Sequence, residues 1–298
     1  MGGGGLRRRW QRLRLSWDLP GARAPQRRSG PIIGVLQFLL RPAIWLLARP
    51  VHRGRENLAA SGPMVLVGNH TGPFDALAYG HLLHASGVAP RFVAKQSLFS
   101  IWPLGAVLRA TGQIPVLRGT DRAADALAAA QAALERGEAI MLFPEGTYTR
   151  DPEGWPMRGR LGAARLALRT GAPIVPVGCH GSRELWPVGS PIPHPGPGRR
   201  VQFQIGEPFT AQLLEGESQR EAEVRVSVEI MERIMRLLAR MRRQEPPATM
   251  HDPDSDDFRP ETGQRAVRPR RPWEGPWHVG RWREGRTQQR RGKPRAKK

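Results

Sequence analysis

Three short runs of apolar residues punctuate the middle of the chain: Met64-Val65-Leu66-Val67-Gly68 after Gly62-Pro63, then Ala139-Ile140-Met141-Leu142-Phe143, then Ile174-Val175-Pro176-Val177. Unbroken runs of this length predict strands covered on both faces, because a strand with one wet face would alternate. A weaker strand-like stretch, Gly112 to Arg118, ends on a cation. Elsewhere the apolar period is helical. Thr120 opens a run through Ala123, Leu127, Ala130 and Leu134 that Gly137 closes, with N-cap and C′ residue types at its two ends. Gly162 to Leu168 predicts a second helix that leads through Gly171-Ala172-Pro173 into the last strand. From Glu217 to Met241, Val224, Val228, Met231, Met235 and Leu238 recur at helical spacing. Packing of that helix on a sheet is the favoured reading, and a membrane or partner surface the alternative. Helices alternating with buried strands predict an α/β fold with a single largely parallel sheet flanked by helices.

The segment Pro31 to Ala48 behaves differently. It is apolar almost all round and approaches the roughly 20 residues of a membrane span. Gln37, Arg41 and Pro42 interrupt it. An Arg at a bilayer centre costs about 2.5–3.5 kcal/mol on insertion scales, and Pro42 would kink or break a helix. We therefore expect two short membrane-interfacial helices over residues 30–50, with Gln37 and Arg41 on a polar stripe that reaches the headgroups. A true span and a buried core helix are the alternatives. A cleavable signal peptide is excluded, since the apolar stretch starts late and lacks a small-residue cleavage site.

The candidate chemistry follows the first strand. In Asn69-His70-Thr71-Gly72-Pro73-Phe74-Asp75, a His and an Asp lie five residues apart. Along one helix that is about 140° of rotation, so the two would not share a face. They meet only if the chain turns, which Gly72-Pro73 permits. Pro73 suits a first helical position, and Asp75 would then reach back over the helix start. A His oriented by a carboxylate is a general base. The plainer reading is a carboxylate complementing a helix N-terminus beside a buried loop histidine. His70 would sit just past the carboxyl end of a strand, where open α/β sheets bind ligands.

These residues carry a resemblance. The chain resembles the glycerolipid acyltransferase family in four blocks taken in order: Asn69-His70 with Asp75; Gly112 with Arg118; Phe143-Pro144-Glu145-Gly146-Thr147; and Val175-Pro176-Val177. Lys95, in Phe92-Val93-Ala94-Lys95, matches a further family lysine. The resemblance covers roughly residues 50–210. It implies His70 as base and Asp75 as its partner, with Arg118, Glu145, Gly146, Thr147, Lys95 and Arg150 binding substrate. Where the family has Arg after the Thr of the third block, this chain has Tyr148, and Arg150 two residues later is the substitute. For Glu145 the alternative is a turn carboxylate paired with an Arg; for Arg118 it is a solvated strand end. Attack on a thioester by an alcohol needs only a base and an oxyanion site, and turn amides near Gly72 or Gly146 are candidate donors. No Gly-x-Ser-x-Gly elbow is present and Cys179 is the only thiol, which argues against a nucleophilic hydrolase.

Composition alters this picture little. A net charge of +21 would suggest nucleic acid, but the cations are nearly all Arg in a chain rich in Ala, Gly and Pro. The charge concentrates at the ends, so the expected organisation is a basic tail over 1–29, interfacial helices over 30–50, an acyltransferase domain over 51–244 and a disordered basic tail over 245–298. Such tails suit an anionic membrane surface. A single Cys excludes an internal disulfide and suits a reducing compartment. His81 and His84 have a possible metal spacing but no third ligand, so no metal is expected. The expected reaction is acyl transfer from an acyl-CoA or acyl carrier protein thioester to lysophosphatidate, with no bound cofactor and no nucleic acid, at the cytoplasmic face of the cell membrane in a peripheral or monotopic position. Glycerol 3-phosphate, a lysophospholipid or an acylated sugar are alternative acceptors. A non-catalytic polybasic adaptor is the alternative of another class.

Overall fold

The structure is a computed structural model that describes residues 31–58, 62–117, 123–194, 196 and 199–252. A helix, α1 (Pro31–Ala48), leads into β1 (Val51–Arg53) and a 3-10 turn at Arg55–Asn57. The alternating part follows as β2 (Met64–Gly68), α2 (Asp75–Ala85), β3 (Pro90–Lys95), a 3-10 turn (Gln96–Ser100), α3 (Leu104–Ala110), β4 (Ile114–Val116), α4 (Ala123–Glu135) and β5 (Ala139–Leu142). It continues through α5 (Gly162–Thr170), β6 (Ile174–His180), α6 (Ser182–Leu185), β7 (Gln202–Ile205) and α7 (Gln219–Arg242).

The strands form one sheet in the order β1-β7-β6-β2-β5-β3-β4. All pairings are parallel except β6 with β7. The expected largely parallel sheet is therefore present, and two short strands, β1 and β7, parallel to each other and antiparallel to β6, close one edge. β2 is central, and all five of its residues are buried. Val65 and Val67 face a core built with Leu134, Leu166, Ile230, Ile234 and Leu238 of α4, α5 and α7. Met64 and Leu66 face the opposite core with Tyr79, Leu82 and Leu83 of α2. Burying an aliphatic side chain this completely stabilises by about 1.5–3 kcal/mol, so the unbroken apolar run reflects two covered faces.

α7 starts one residue after Ser218, whose side chain accepts from the Glu221 N–H while Glu221 reaches back to the Ser218 N–H. This reciprocal cap satisfies two orphan donors at the helix start. Part of the chain's Arg content is spent on ion pairs: Arg165 of α5 grips Glu223 of α7 at 2.7 Å, and Arg91 of β3 grips Glu138 at 2.7 Å.

Two expectations are corrected. α1 is one helix with Pro42 inside it, where two were expected. Proline removes a single helical N–H, and Ile44 and Ala48 are buried in the α2-side core, which holds the second half of the helix in place. No helix among the described residues is long and apolar enough to cross a membrane. The second correction concerns the chain after Glu245. Residues 245–252 return to the domain: Arg158 N–H donates to His251 O at 2.8 Å, and Arg158 pairs with Asp252 at 3.0 Å. The tails at 1–30 and 253–298 lie outside the described residues, as do Arg118 and Thr120.

Candidate active site

Because β2 to β6 run parallel, their carboxyl ends share one edge of the sheet, and the loops there gather most of the candidate residues. The β2 loop is tied down first. Asn69 is buried, and its side chain bridges to β6, donating to Cys179 O at 2.9 Å and accepting from Cys179 N–H at 2.8 Å. The chain then turns at Gly72, where a Cβ would lie 2.7 Å from the backbone oxygen of Trp186, so only glycine fits. Phe74 caps α2 and Asp75 is its first residue. Pro73, expected at the first helical position, instead sits in the preceding turn, two residues before the helix starts.

Asp75 reaches back as its position in the first turn predicts. Its Oδ2 accepts from His70 Nδ1 at 2.9 Å and from the backbone N–H groups of Thr71 and Gly72. The Asp75 side chain is 0% exposed, whereas the His70 side chain is 12% exposed. Two amides fix the carboxylate and the carboxylate fixes the ring, leaving Nε2 as the nitrogen able to accept a proton. Phe143 stacks on the imidazole at 3.9 Å, and Tyr148 meets it edge-on at 4.4 Å. The aromatic walls restrict ring rotation.

Glu145 departs from expectation. Its Oε1 accepts from the His70 N–H at 2.9 Å and its Oε2 from the Met157 N–H at 3.0 Å, and the residue is 0% exposed. Both oxygens are turned to backbone amides, so the carboxyl braces the β2 and β5 loops and does not face a substrate. Burial pushes its pKa up to about 8, against the two amide donors, which favour the ionised form. Of the turn amides near Gly72 and Gly146 considered for the oxyanion, two are already engaged: Gly72 N–H donates to Asp75 and Gly146 N–H to Phe143 O at 3.0 Å.

A family model described as Acyltransferase matches residues 49–180, the segment that holds the whole of this constellation. Over those residues, a little under half of its length, the chain is similar to the acyltransferase family. It is 31% identical over 140 residues to a chloroplastic 1-acyl-sn-glycerol-3-phosphate acyltransferase of Brassica napus, an alignment covering 46% of this chain and 39% of that protein. A Borreliella burgdorferi protein named 1-acyl-sn-glycerol-3-phosphate acyltransferase is 30% identical over 145 residues, covering 48% and 56% of the two chains. The crystal structure of the 1-acyl-sn-glycerophosphate acyltransferase PlsC from Thermotoga maritima superposes with a TM-score of 0.55 at 26% identity, over 70% of this chain and 80% of that one. Against the two chloroplastic relatives, from Brassica napus and Arabidopsis thaliana, the chain spans only 39% and 37% of their length.

The other expected substrate contacts among the described residues are spread along the same edge. Lys95 ends β3 and is exposed, and it pairs in register with Val116 of β4, two residues before Arg118. Strands lie about 4.8 Å apart, and β5 separates β2 from β3, so Lys95 starts about 10 Å from the strand that carries His70. Gly146 has φ 73° and makes the turn after Glu145, with Thr147 half-buried behind it. Arg150 is exposed on the loop beyond, while Tyr148, in the place of the family Arg, packs on His70. His81 and His84 both lie on α2, and no group of three metal-binding side chains occurs among the described residues.

Three residues outside the expected set shape the site. Phe143 and Tyr148 form the ring's walls, and Asn69 locks the loop to β6. Asn69 was visible as the first residue of its block, but its partner lies 110 positions away and no local pattern points to it. Cys179 is buried and burial pushes its thiol well above the ordinary range, so it is inert. On the β6 side, a cleft of about 520 Å³ is bordered by Thr71, His180, Arg183 and Arg242. Arg242 donates to Glu153 O and Gly154 O and covers the Trp155 ring at 4.4 Å. His70 does not line that cleft, which therefore adjoins the dyad without containing it.

Proposed function

We propose that this chain transfers a fatty acyl group from a thioester to the free hydroxyl of lysophosphatidate, giving phosphatidate. The reading rests on one observation above all: the His70 Nδ1 to Asp75 bond of 2.9 Å at the carboxyl end of β2. Nε2 takes the hydroxyl proton as the oxygen attacks the thioester carbonyl. The tetrahedral intermediate then expels the thiolate, which recovers the proton from the imidazolium. Asp75 holds the tautomer and stabilises the charged ring in between. No acyl-enzyme is needed, in keeping with a thiol at Cys179 that is buried and inert. Similarity to proteins named 1-acyl-sn-glycerol-3-phosphate acyltransferases supports the phosphate-bearing acceptor. Lys95, exposed at the end of β3, offers a cation to that phosphate on the edge that carries His70, and Arg118, outside the described residues, follows β4 in sequence. Acyl-CoA and acyl carrier protein thioesters offer the same reacting carbonyl, and both serve as donors in this scheme.

The test is incubation with labelled acyl-CoA or acyl carrier protein and a panel of lysophosphatidate, glycerol 3-phosphate and a neutral lysolipid, followed by product identification. Labelled phosphatidate from lysophosphatidate is expected. Transfer confined to another acceptor would overturn the substrate, and vesicle binding without transfer from either donor would overturn the reaction.

A further inference from the structure

Between Asp75 and Asp121 the chain contains no acidic residue, while Arg91, Lys95, Arg109 and Arg118 fall inside that interval. Asp18 to Glu56 is a second acid-free interval, with seven Arg, whereas from Asp121 to Asp257 acids and bases are interspersed and several pair. Arg91 is neutralised by Glu138 from outside the interval, which leaves Lys95 and Arg109, both exposed, as the cations the β3–α3–β4 lobe presents among the described residues. The loop between the 3-10 turn and α3 reads Ile101-Trp102-Pro103-Leu104. Outside α1, where Val35, Phe38 and Leu39 are exposed, it is the most exposed apolar sequence among the described residues: Trp102 is 86% and Ile101 51% exposed, with Leu104 also outward. Leu117, the residue after β4, is exposed too, and the Lys95 to Val116 pairing sets it beside the start of that 3-10 turn. Arg109 Nη1 donates to Phe99 O at 2.6 Å, which holds its guanidinium over the same lobe.

We infer that this lobe is a membrane-docking surface, with Trp102 and Ile101 entering the interface of a bilayer that contains anionic lipid. Three observations converge on that occupant. An outward Trp flanked by aliphatics suits the headgroup level, where an amphipathic ring is favoured. Cations without local acids suit an anionic surface. The loop follows the carboxyl end of β3, so it stands at the edge of the sheet that carries His70. Docked there, the domain receives a one-chain acceptor directly from the leaflet. Only this last consequence rests on the acyl-transfer reading; the docking itself does not.

The experiment uses the full chain and no substrate, so its failure is separate from failure of that reading. Partition is measured onto phosphatidylglycerol–phosphatidylcholine vesicles and onto pure phosphatidylcholine vesicles, for wild type, for Trp102→Ser with Ile101→Ser, and for Val188→Ser with Ile192→Ser, two exposed apolar residues placed elsewhere. The first variant is expected to partition about tenfold more weakly on the mixed vesicles, and the second to match wild type. Because α1 could mask a loss of affinity, the second readout is local. The fluorescence difference between wild type and Trp102→Phe should be quenched by lipids brominated on their acyl chains. Unchanged partition together with no quenching of that difference overturns the proposal. Loss of a concentration-dependent dimer in Trp102→Ser, with partition intact, would assign the face to a second copy and overturn it as well.

Discussion

Around β2 and β5, the carboxyl edge of the sheet is closed: Asn69, Asp75 and Glu145 are buried, and each is hydrogen-bonded to backbone across a loop. Around β3 and β4 the same edge is open, with Lys95, Trp102 and Leu117 facing outward. The difference separates two tasks. A base must be held in one tautomer and one direction before the substrate arrives, which takes buried partners with good geometry. Recognition of a phosphate or a lipid surface takes exposed charge and apolar area, which need little internal support. Mutations in the closed half should therefore damage rate or stability, and those in the open half should damage binding.

The largest expected effect is that of His70→Ala, which should lower kcat/KM for acyl transfer at least about a hundredfold while leaving vesicle partition near wild type. Residual activity within about tenfold of wild type would show that another group takes the proton. Asn69→Ala comes next. It strands the Cys179 N–H and C=O in a buried place, and two unsatisfied groups should cost about 2–4 kcal/mol in a urea titration. An unchanged midpoint would mean that the β2 loop is held by other contacts.

Glu145 offers a pH test of the closed half. Its folded pKa of about 8 lies above the ordinary value of 4.5, so the folded chain binds the more protons between those limits. Its contribution to stability is then fully present below pH 4.5 and is lost as pH rises through about 8. Glu145→Gln removes this dependence. The stability of wild type relative to the variant should thus fall steadily across that window, and a flat difference would contradict a carboxyl kept protonated by burial. The smallest effect belongs to the open half. Lys95→Ala and Arg118→Ala should each raise KM for a phosphate-bearing acceptor about three- to tenfold, with kcat little changed. Equal shifts with a neutral acceptor would remove the phosphate role.

The same contrast explains what could be read before any coordinates. β2, β5 and β6 were legible because burial on both faces leaves an unbroken apolar run, and α4, α5 and α7 because one buried face leaves a helical period. β1 and β7 were not, since Val51-His52-Arg53 and Gln202-Phe203-Gln204-Ile205 are short and half polar, and gain their order from pairing along a distant edge. The turn that lets His70 meet Asp75 was legible because the whole device lies within six residues. The brace by Glu145 was not: it joins His70, 75 positions away, to Met157, and a carboxylate in a turn carries no mark of which amides it will meet. Pro42 misled in the opposite direction, because a local rule predicted a break where docking on α2 keeps one helix.

The account stands on His70 and Asp75 acting as one unit, and a double-mutant cycle on acyl-transfer rate tests this most directly. If they are one device, His70→Ala with Asp75→Asn should be no more than about threefold slower than His70→Ala alone, because the partner has nothing left to orient. If the two losses instead multiply, the carboxylate does its work elsewhere and the dyad is not the catalyst.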